Sequence, residues 1–405
     1  MSNLKNIYGN RYKWYFNRKN KIREIFLDNY HEEPEAYFSS PGRIEILGNH
    51  TDHNNGLVMV SSIDLDIIAA VKKRNDSNFY LKSEGYPLNH VDINDLSPKE
   101  NENGKSNALL RGVLFRMKEL DYKIGGMEIS TSSKIFKGAG LSSSASFELL
   151  IAEIINFYFN DDKIDRVTLA KIAQYSENVY FKKPSGLLDQ MGISLGGFNY
   201  IDFKDTAHPS FENFNFNLKD YRVVLVNTGG SHASLTKYYA SIKEDMKKVA
   251  NVFHQETLRD VDEKEFYSSL PLIKKKCGGR AILRSIHYFD ENKRVKDAYE
   301  ALKTNDVKTF LEKVNESGES SYSLLENCFV QKDTKQGIAL ALALSKKYIK
   351  DGAVRVHGGG FQGTIIAYVN VKEQLSYIEK MKEVFGERNV LKVTLRPIGT
   401  SIINE

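Results

Sequence analysis

Residues 137–159 read KGAGLSSSASFELLIAEIINFYF: a glycine-containing segment, a run of serines, then apolar residues at helical spacing. Glycine lets a backbone turn tightly and approach a ligand closely. Serine is a favoured N-cap. The first turn of a helix presents unpaired N–H groups and the positive end of the helix dipole, which together favour phosphate. The stretch therefore predicts a loop that opens a helix. It lacks the G-x-x-x-x-G-K-[ST] spacing of a Walker A loop and the third glycine of a dinucleotide fingerprint. Taken alone, it is equally well explained as a serine-capped helix after a glycine turn.

The flanking sequence supplies strands and further helices. Residues 65–71 (LDIIAAV) form an apolar run suited to a buried strand, and 127–131 alternate as an edge strand does. Residues 166–180 predict an amphipathic helix that stops before Pro184-Ser185-Gly186. A buried strand follows at 222–226 (RVVLV), then a long helical pattern at 232–252, and 262–347 is mostly helical by periodicity. Strand, glycine loop and strand come next as AVRV, HGGGFQG and TIIAYV (353–369), and then a helix and a last strand at 390–395. Strands and helices mix without steady alternation, which predicts an α+β fold of two lobes, 1–205 and 206–405.

Composition bounds the function. The 405 residues exceed the roughly 250–300 that one core usually supports. The net charge of +5, from 57 basic and 52 acidic residues, is small for the length. It suits anionic small molecules and does not argue for a nucleic-acid partner, which leaves a clustered basic footprint. The first residues are basic and aromatic but lack the apolar core and cleavage site of a signal peptide. No stretch approaches the roughly 18–20 apolar residues of a membrane span. Cys277 and Cys328 lie far apart, which excludes a disulfide scaffold and fits a reducing, cytoplasmic setting.

Three further stretches carry chemistry. Residues 41–56, PGRIEILGNHTDHNNG, gather Arg43, Asn49, His50, Asp52, His53, Asn54 and Asn55 into a turn-rich segment ahead of a strand. Its Asp and Asn side chains offer the donors and acceptors that sugar hydroxyls need, although an Asx-rich surface turn has the same composition. The pair His50 and His53 has no further His or Cys nearby to complete a metal site. In 176–192, SENVYFKKPSGLLDQMG, Glu177 and Asp189 stand on either side of a Pro-Ser-Gly break. Two such acids can face one cleft, one holding a metal and one taking a substrate proton; a solvated surface charge explains either one as well. Residues 355–364, RVHGGGFQGT, place four glycines between two strands, as close backbone approach to a ligand requires, or as a plain hairpin allows.

The order of these motifs resembles the galactokinase family, within the group of galacto-, homoserine, mevalonate and phosphomevalonate kinases. PGRIEILGNHTDHNNG is similar to that family's G-R-x-N-L-I-G-E-H-T-D-Y-N-x-G signature, and KGAGLSSSAS to its phosphate loop. SGLLDQ resembles its C-G-I-M-D-Q segment, RVHGGGFQG its third motif, NTGGSHASLTKYYASIKEDM its helix after the central strand, and LRPIG its R-P-x-x-G. The resemblance spans roughly 37–400 and implies a two-lobed kinase fold with the active site between the lobes.

It also implies roles. Lys137, Gly138, Ala139, Gly140, Leu141, Ser142, Ser143, Ser144 and Ala145 would bind ATP. Ser144 and Glu177 would hold Mg²⁺. Asp189 would be the catalytic base for the sugar's anomeric hydroxyl, and Arg43 would orient that hydroxyl and steady charge. Asn49, His50, Asp52, Gly186 and Tyr239 would contact the sugar. The implied reaction makes galactose 1-phosphate and ADP in a monomeric enzyme. The sequence departs from the family at Asn49 (usually Glu), His53 (Tyr), Glu45 (Asn), Ser185 (Cys) and Gln362 (Gly or Ala). Because Asn49 stands where an acidic hydroxyl acceptor is usual, the hexose stays open between galactose, N-acetylgalactosamine and another sugar. A non-catalytic sugar sensor is the remaining alternative.

Overall fold

The computed structural model describes residues 3–135, 140–214, 218–229, 235–331 and 333–404. Its strands are β1 (Ala36–Leu47), β2 (Leu57–Lys73), β3 (Asn78–Ser83), β4 (Leu88–Asp92), β5 (Met127–Ser133), β6 (Phe198–Asp202), β7 (Ser210–Phe214), β8 (Tyr221–Asn227), β9 (Gly352–His357), β10 (Thr364–Asn370), β11 (Val390–Val393) and β12 (Ser401–Ile402). They form two sheets. One runs β12-β1-β2-β5-β3-β4, with β6 and β7 extending from β2; the other runs β11-β8-β10-β9. The pairing is antiparallel except between β3 and β5. Helices are interspersed, so the architecture is α+β.

The apolar run at 65–71 lies within β2, and both of its faces are covered. Ile67, Ala69 and Val71 join the main core, which continues into β8 and β10 through Val223, Leu225 and Ile366. Ile68 and Ala70 face the N-terminal helix Tyr12–Tyr30 through Tyr15, Ile22 and Phe26. A strand buried on both faces loses polar alternation, which is why this one reads as a continuous apolar run.

The alternating stretch at 127–131 corrects one expectation. It belongs to β5, which is not an edge but sits between β2 and β3. Its polar residues Ser130 and Thr131 are buried, and Tyr30 on the N-terminal helix donates to the Ile129 carbonyl at 2.9 Å. The alternation therefore marks a core face and a helix-covered face. A second correction concerns 41–47, which by composition belongs to a turn-rich segment. These residues complete β1, with register shifts against β2 between Pro41 and Arg43 and between Glu45 and Leu47.

The chain leaves the first sheet after β7 and returns to it at its end, where β12 pairs with β1. Between lie the helices Thr236–Val252, Gly279–Lys303 and Val307–Ser320. Among the described residues, no helix is long and apolar enough to cross a membrane. Cys277 and Cys328 are both free thiols.

One buried charge ties both ends of the chain to β2. Asp66, fully buried, accepts from Tyr8 Oη at 2.8 Å and from Arg18 and Ser39, with Arg396 at 3.7 Å. Burial opposes its charge, but Arg18 and Arg396 hold the carboxyl below the usual range. Asp66→Asn would leave two buried guanidinium groups without a counter-charge and should cost about 3–5 kcal/mol. The denaturation midpoint measures this, and an unchanged midpoint would refute the role.

Candidate active site

The bulge in β1 re-aims Arg43. Its backbone N–H bonds to the Leu141 carbonyl at 3.3 Å, and its Nε donates to Asp189 Oδ1 at 2.8 Å. Nη2 lies 2.7 Å from the same oxygen, and Nη1 donates to the Gly140 carbonyl. Asp189 sits in the first turn of the helix Leu188–Leu195, and its other oxygen accepts from the Ser142 hydroxyl. Burial works against the charge on Asp189, but Arg43, the Ser142 hydroxyl and Lys183 more than offset it and hold the carboxyl below its ordinary value. The strand, the loop and the helix are thus joined at one carboxylate.

That arrangement alters what the serines do. Serine was expected to cap the helix Ser143–Phe159. Ser142 instead adopts a left-handed conformation (φ 58°), makes no capping bond and turns its hydroxyl to Asp189. Among the described residues no side chain caps the helix start, which leaves its first N–H groups beside Arg43, the setting in which an anion binds. Gly140, at φ +67°, supplies a backbone angle that other residues adopt only under strain. Leu141 and Ala145 pack into the main core and act through their backbone. Lys137, Gly138 and Ala139 lie outside the described residues.

Ser144 and Glu177 meet directly: the hydroxyl donates to Glu177 Oε1 at 2.8 Å. Glu177 lies in a wider, π-helical turn, Ser176–Tyr180, that continues the helix Arg166–Tyr175. Lys183 holds the same oxygen at 2.7 Å, and Gln190 donates to Oε2 at 2.9 Å. Two adjacent hard oxygen donors are of the kind a magnesium ion takes, with waters and phosphate oxygens as its other ligands. Lys183, Gln190 and Glu148 stand outside the residues that the sequence motifs single out. Glu148 lies one helical turn beyond Ser144, fully buried, with neither carboxyl oxygen partnered. Burial, reinforced by Glu177, drives its carboxyl well above the usual range. An acid four positions after the serine, in a mostly apolar helix, was the available signal.

The loop between β1 and β2 is fastened by the helix Gly279–Lys303. Glu291 Oε1 accepts the Gly48 and Asn49 N–H groups at 2.9 and 3.2 Å. His287 bonds the Asn49 carbonyl at 2.9 Å, Tyr288 the Asn54 carbonyl at 3.0 Å, and Asn292 the Leu57 N–H at 2.7 Å. None of these four residues was distinguishable within the helical periodicity.

This loop separates the expected sugar contacts. Asn49, fully buried, donates to Glu45 Oε1 at 2.9 Å and to the Gly358 carbonyl at 2.7 Å, and accepts from Asn327 at 2.8 Å and Ser321 at 3.2 Å. Both its hydrogens and both its lone pairs are used, so it has nothing left for a hydroxyl. Its side chain is fully engaged within the fold. His50 is similarly engaged, through His53 at 3.2 Å and the Gly359 carbonyl at 3.0 Å. Asp52 lies against Gly186, where an added Cβ would come within 1.8 Å of Asp52 Oδ2. Burial, with Asp189 and Glu45 nearby, raises the Asp52 carboxyl to about 7. Tyr239 donates to the Gly360 carbonyl at 3.1 Å, and its ring closes over Gly359. The glycine stretch between β9 and β10 is therefore a hairpin that also approaches the site.

Two departures from the family signature are a single change. Glu45 stands where the signature has Asn, and Asn49 where it has Glu. The two side chains touch, so acid and amide have exchanged places within one hydrogen bond. Arg355, fully buried, completes the pair with Nη2 at 2.9 Å from Glu45 Oε1.

Comparison with known proteins agrees with this geometry. The galactokinase galactose-binding signature matches residues 24–73, and the GHMP kinases N terminal domain matches 108–197. The chain is 32% identical over 376 residues to the galactokinase of Clostridium tetani, covering 91% of this chain and 92% of that one. It is 31% identical over 379 residues to the galactokinase of Clostridium perfringens, covering 91% and 94%. The crystal structure of Lactococcus lactis galactokinase complexed with galactose superposes with a TM-score of 0.83 at 26% identity, over 94% of this chain and 99% of that one. Methanococcus jannaschii mevalonate kinase, at 15% identity and a TM-score of 0.63 over 89% of this chain and 98% of that one, shares the fold. With its motifs in order, its site assembled and its relatives covering nearly all of its length, the chain belongs to the galactokinase family of sugar kinases.

Proposed function

We propose that this chain transfers the terminal phosphoryl group of ATP to the anomeric hydroxyl of galactose, giving galactose 1-phosphate and ADP. The observation that carries this is Asp189, clamped between Arg43 and Ser142 beside an uncapped helix start. The hydroxyl oxygen attacks the γ-phosphorus, the bond to the β-phosphate bridging oxygen breaks, and Asp189 takes the proton. A carboxylate held below its ordinary pKa is a weak base. That suits a loose transition state, in which the hydroxyl loses its proton late and positioning does most of the work. Arg43 orients the hydroxyl and neutralises charge, and the first N–H groups of Ser143–Phe159 receive phosphate oxygens. Ser144 and Glu177 would hold Mg²⁺, which neutralises the phosphate charge when bound.

For the sugar we retain Asp52, Gly186 and Tyr239 as direct contacts and assign Asn49 and His50 to holding the loop. A coupled assay with galactose, N-acetylgalactosamine and glucose tests the substrate. Preference for N-acetylgalactosamine would make the chain a sister kinase, and binding without turnover a sensor. Asp189→Asn should lower kcat by about 10²–10⁴-fold while hexose still binds. Retention of more than a tenth of the activity removes Asp189 as the base, since a positioned base is worth about 10²-fold or more.

Asp52 predicts a pH dependence. Its folded pKa of about 7 means that raising the pH through neutrality ionises it. Hydrogen bonds to a charged acceptor are worth about 1.5–3 kcal/mol against about 1 for a neutral one. KM for the hexose should therefore fall as pH rises from 6 to 8, by up to about tenfold, and Asp52→Asn should flatten the profile. A wild-type KM that does not change over this range would contradict the assignment.

The exchanged pair makes a third prediction. Asn49→Glu alone sets two buried carboxylates against each other and strips the donor from the Gly358 carbonyl, costing roughly 3 kcal/mol. Adding Glu45→Asn should recover about 1–3 kcal/mol. Denaturation midpoints of the two single variants and the double variant read this coupling, and strictly additive effects would disprove it.

A further inference from the structure

His357, at the end of β9, is buried, with 2% of its surface exposed. Its Nε2 accepts the backbone N–H of Glu45 at 3.1 Å. A backbone N–H can only donate, so Nε2 carries the lone pair and, in the neutral ring, the proton sits on Nδ1. Burial, with Arg43 and Arg355 adding to it, keeps the ring neutral by driving its pKa well below the ordinary value. Nδ1 is buried and has no hydrogen-bond partner.

The surroundings of Nδ1 identify what it faces. A Cβ built on Gly140 would lie 3.5 Å from it, and the Gly140 carbonyl is the group that Arg43 Nη1 holds. One on Gly358, the next residue, would lie 4.0 Å from that same carbonyl. The unpaired donor therefore sits where β9, the Gly140 turn and Arg43 converge, at the mouth of the helix Ser143–Phe159. A buried N–H without a partner carries its full desolvation cost, and this one lies beside a guanidinium and unpaired helix N–H groups. Those neighbours favour an anionic oxygen. Beside Arg43, a further cation would be repelled, whereas a neutral imidazole donates without repulsion.

We propose that His357 is a phosphoryl-binding residue, donating Nδ1–H to an oxygen of the nucleotide's triphosphate; this rests on the kinase function proposed above. The donor is preorganised because the Glu45 N–H fixes the tautomer. Glu45 is in turn set by Arg355 and Asn49. The exchanged pair thus positions a phosphate donor on one side and the sugar loop on the other.

Two variants separate the ring's two bonds. His357→Gln keeps an acceptor near the Glu45 N–H but loses the Nδ1 donor. It should lower kcat/KM for ATP by about 10²-fold, the scale of one lost donor to a developing oxyanion, with hexose affinity by calorimetry unchanged. His357→Asn places an amide N–H near the Nδ1 position and should recover most of that loss. A glutamine variant as active as the native chain overturns the proposal, as does an asparagine variant no better than the glutamine one. Should the glutamine variant fail to bind hexose, the native chain decides. Its ¹⁵N spectrum should show the Nδ1–H tautomer, with that proton moving downfield on adding the β,γ-imido analogue of ATP but not on adding AMP. An Nε2–H tautomer, or a proton indifferent to the analogue, overturns it. This nucleotide titration needs no sugar turnover, so a native chain inactive on every hexose would refute the kinase function and still leave the His357 assignment decided.

Discussion

The Arg43 guanidinium is the interaction on which the site depends. It reaches Asp189 with two nitrogens and the Gly140 carbonyl with the third, while its own N–H bonds to Leu141. Three segments, at Arg43, Gly140–Ser142 and Asp189, are drawn together at this one side chain. A planar fork with fixed donor directions can do this, whereas a single ammonium could not hold the same geometry. The cost is local. β1 gives up its regular register with β2 between Pro41 and Arg43, where Gly42 is left out of the pairing.

Around that point, charges are buried only in company. Glu45 has Arg355, Glu291 has Arg294 at 2.8 Å, and Asp245 has Arg284 at 2.8 Å. Each acid also accepts from, or lies beside, further donors, as Glu291 does from Ser317 at 2.6 Å. Such pairs add little net stability over apolar replacements, but removing one partner is costly. What they supply here is rigidity: the β1–β2 loop is held by the helix Gly279–Lys303 as well as by its own bonds through Thr51. Among the buried side-chain atoms without a partner, the Glu148 carboxyl oxygens and His357 Nδ1 belong to residues near the start of the helix Ser143–Phe159, which itself has no side-chain cap. Buried polar groups without partners mark places where structure has been traded for binding.

Much of the fold was legible in the sequence where one physical pattern dominated. The apolar run in β2, the strand at β8 and the helices of 262–347 follow from periodicity, since burial on a helix or strand repeats with the backbone. The glycine loop ahead of a helix was legible because glycine and serine have few other local uses. β5 was misplaced at an edge, because the polar residues that signal solvent are the same ones that pack beneath a helix. The bulged half of β1 was lost among turn formers, because Pro41 and Gly42 fit a bulge as well as a turn.

By itself, the sequence determined the candidate chemistry: an arginine, two acids, a serine run and a sugar-like loop, in an order that marks the family. Tertiary structure alone decided what each polar atom is bonded to. Ser142 reads as a cap and serves Asp189. Asn49 reads as a sugar contact and is consumed by Glu45, Gly358, Ser321 and Asn327. His357 reads as the first letter of a glycine motif and holds a buried, unpartnered Nδ1 beside the Gly140 turn. The reason is that hydrogen bonding saturates. A side chain's type states how many bonds it can make, but only the neighbours brought in from distant sequence determine which are already made and which remain for a ligand.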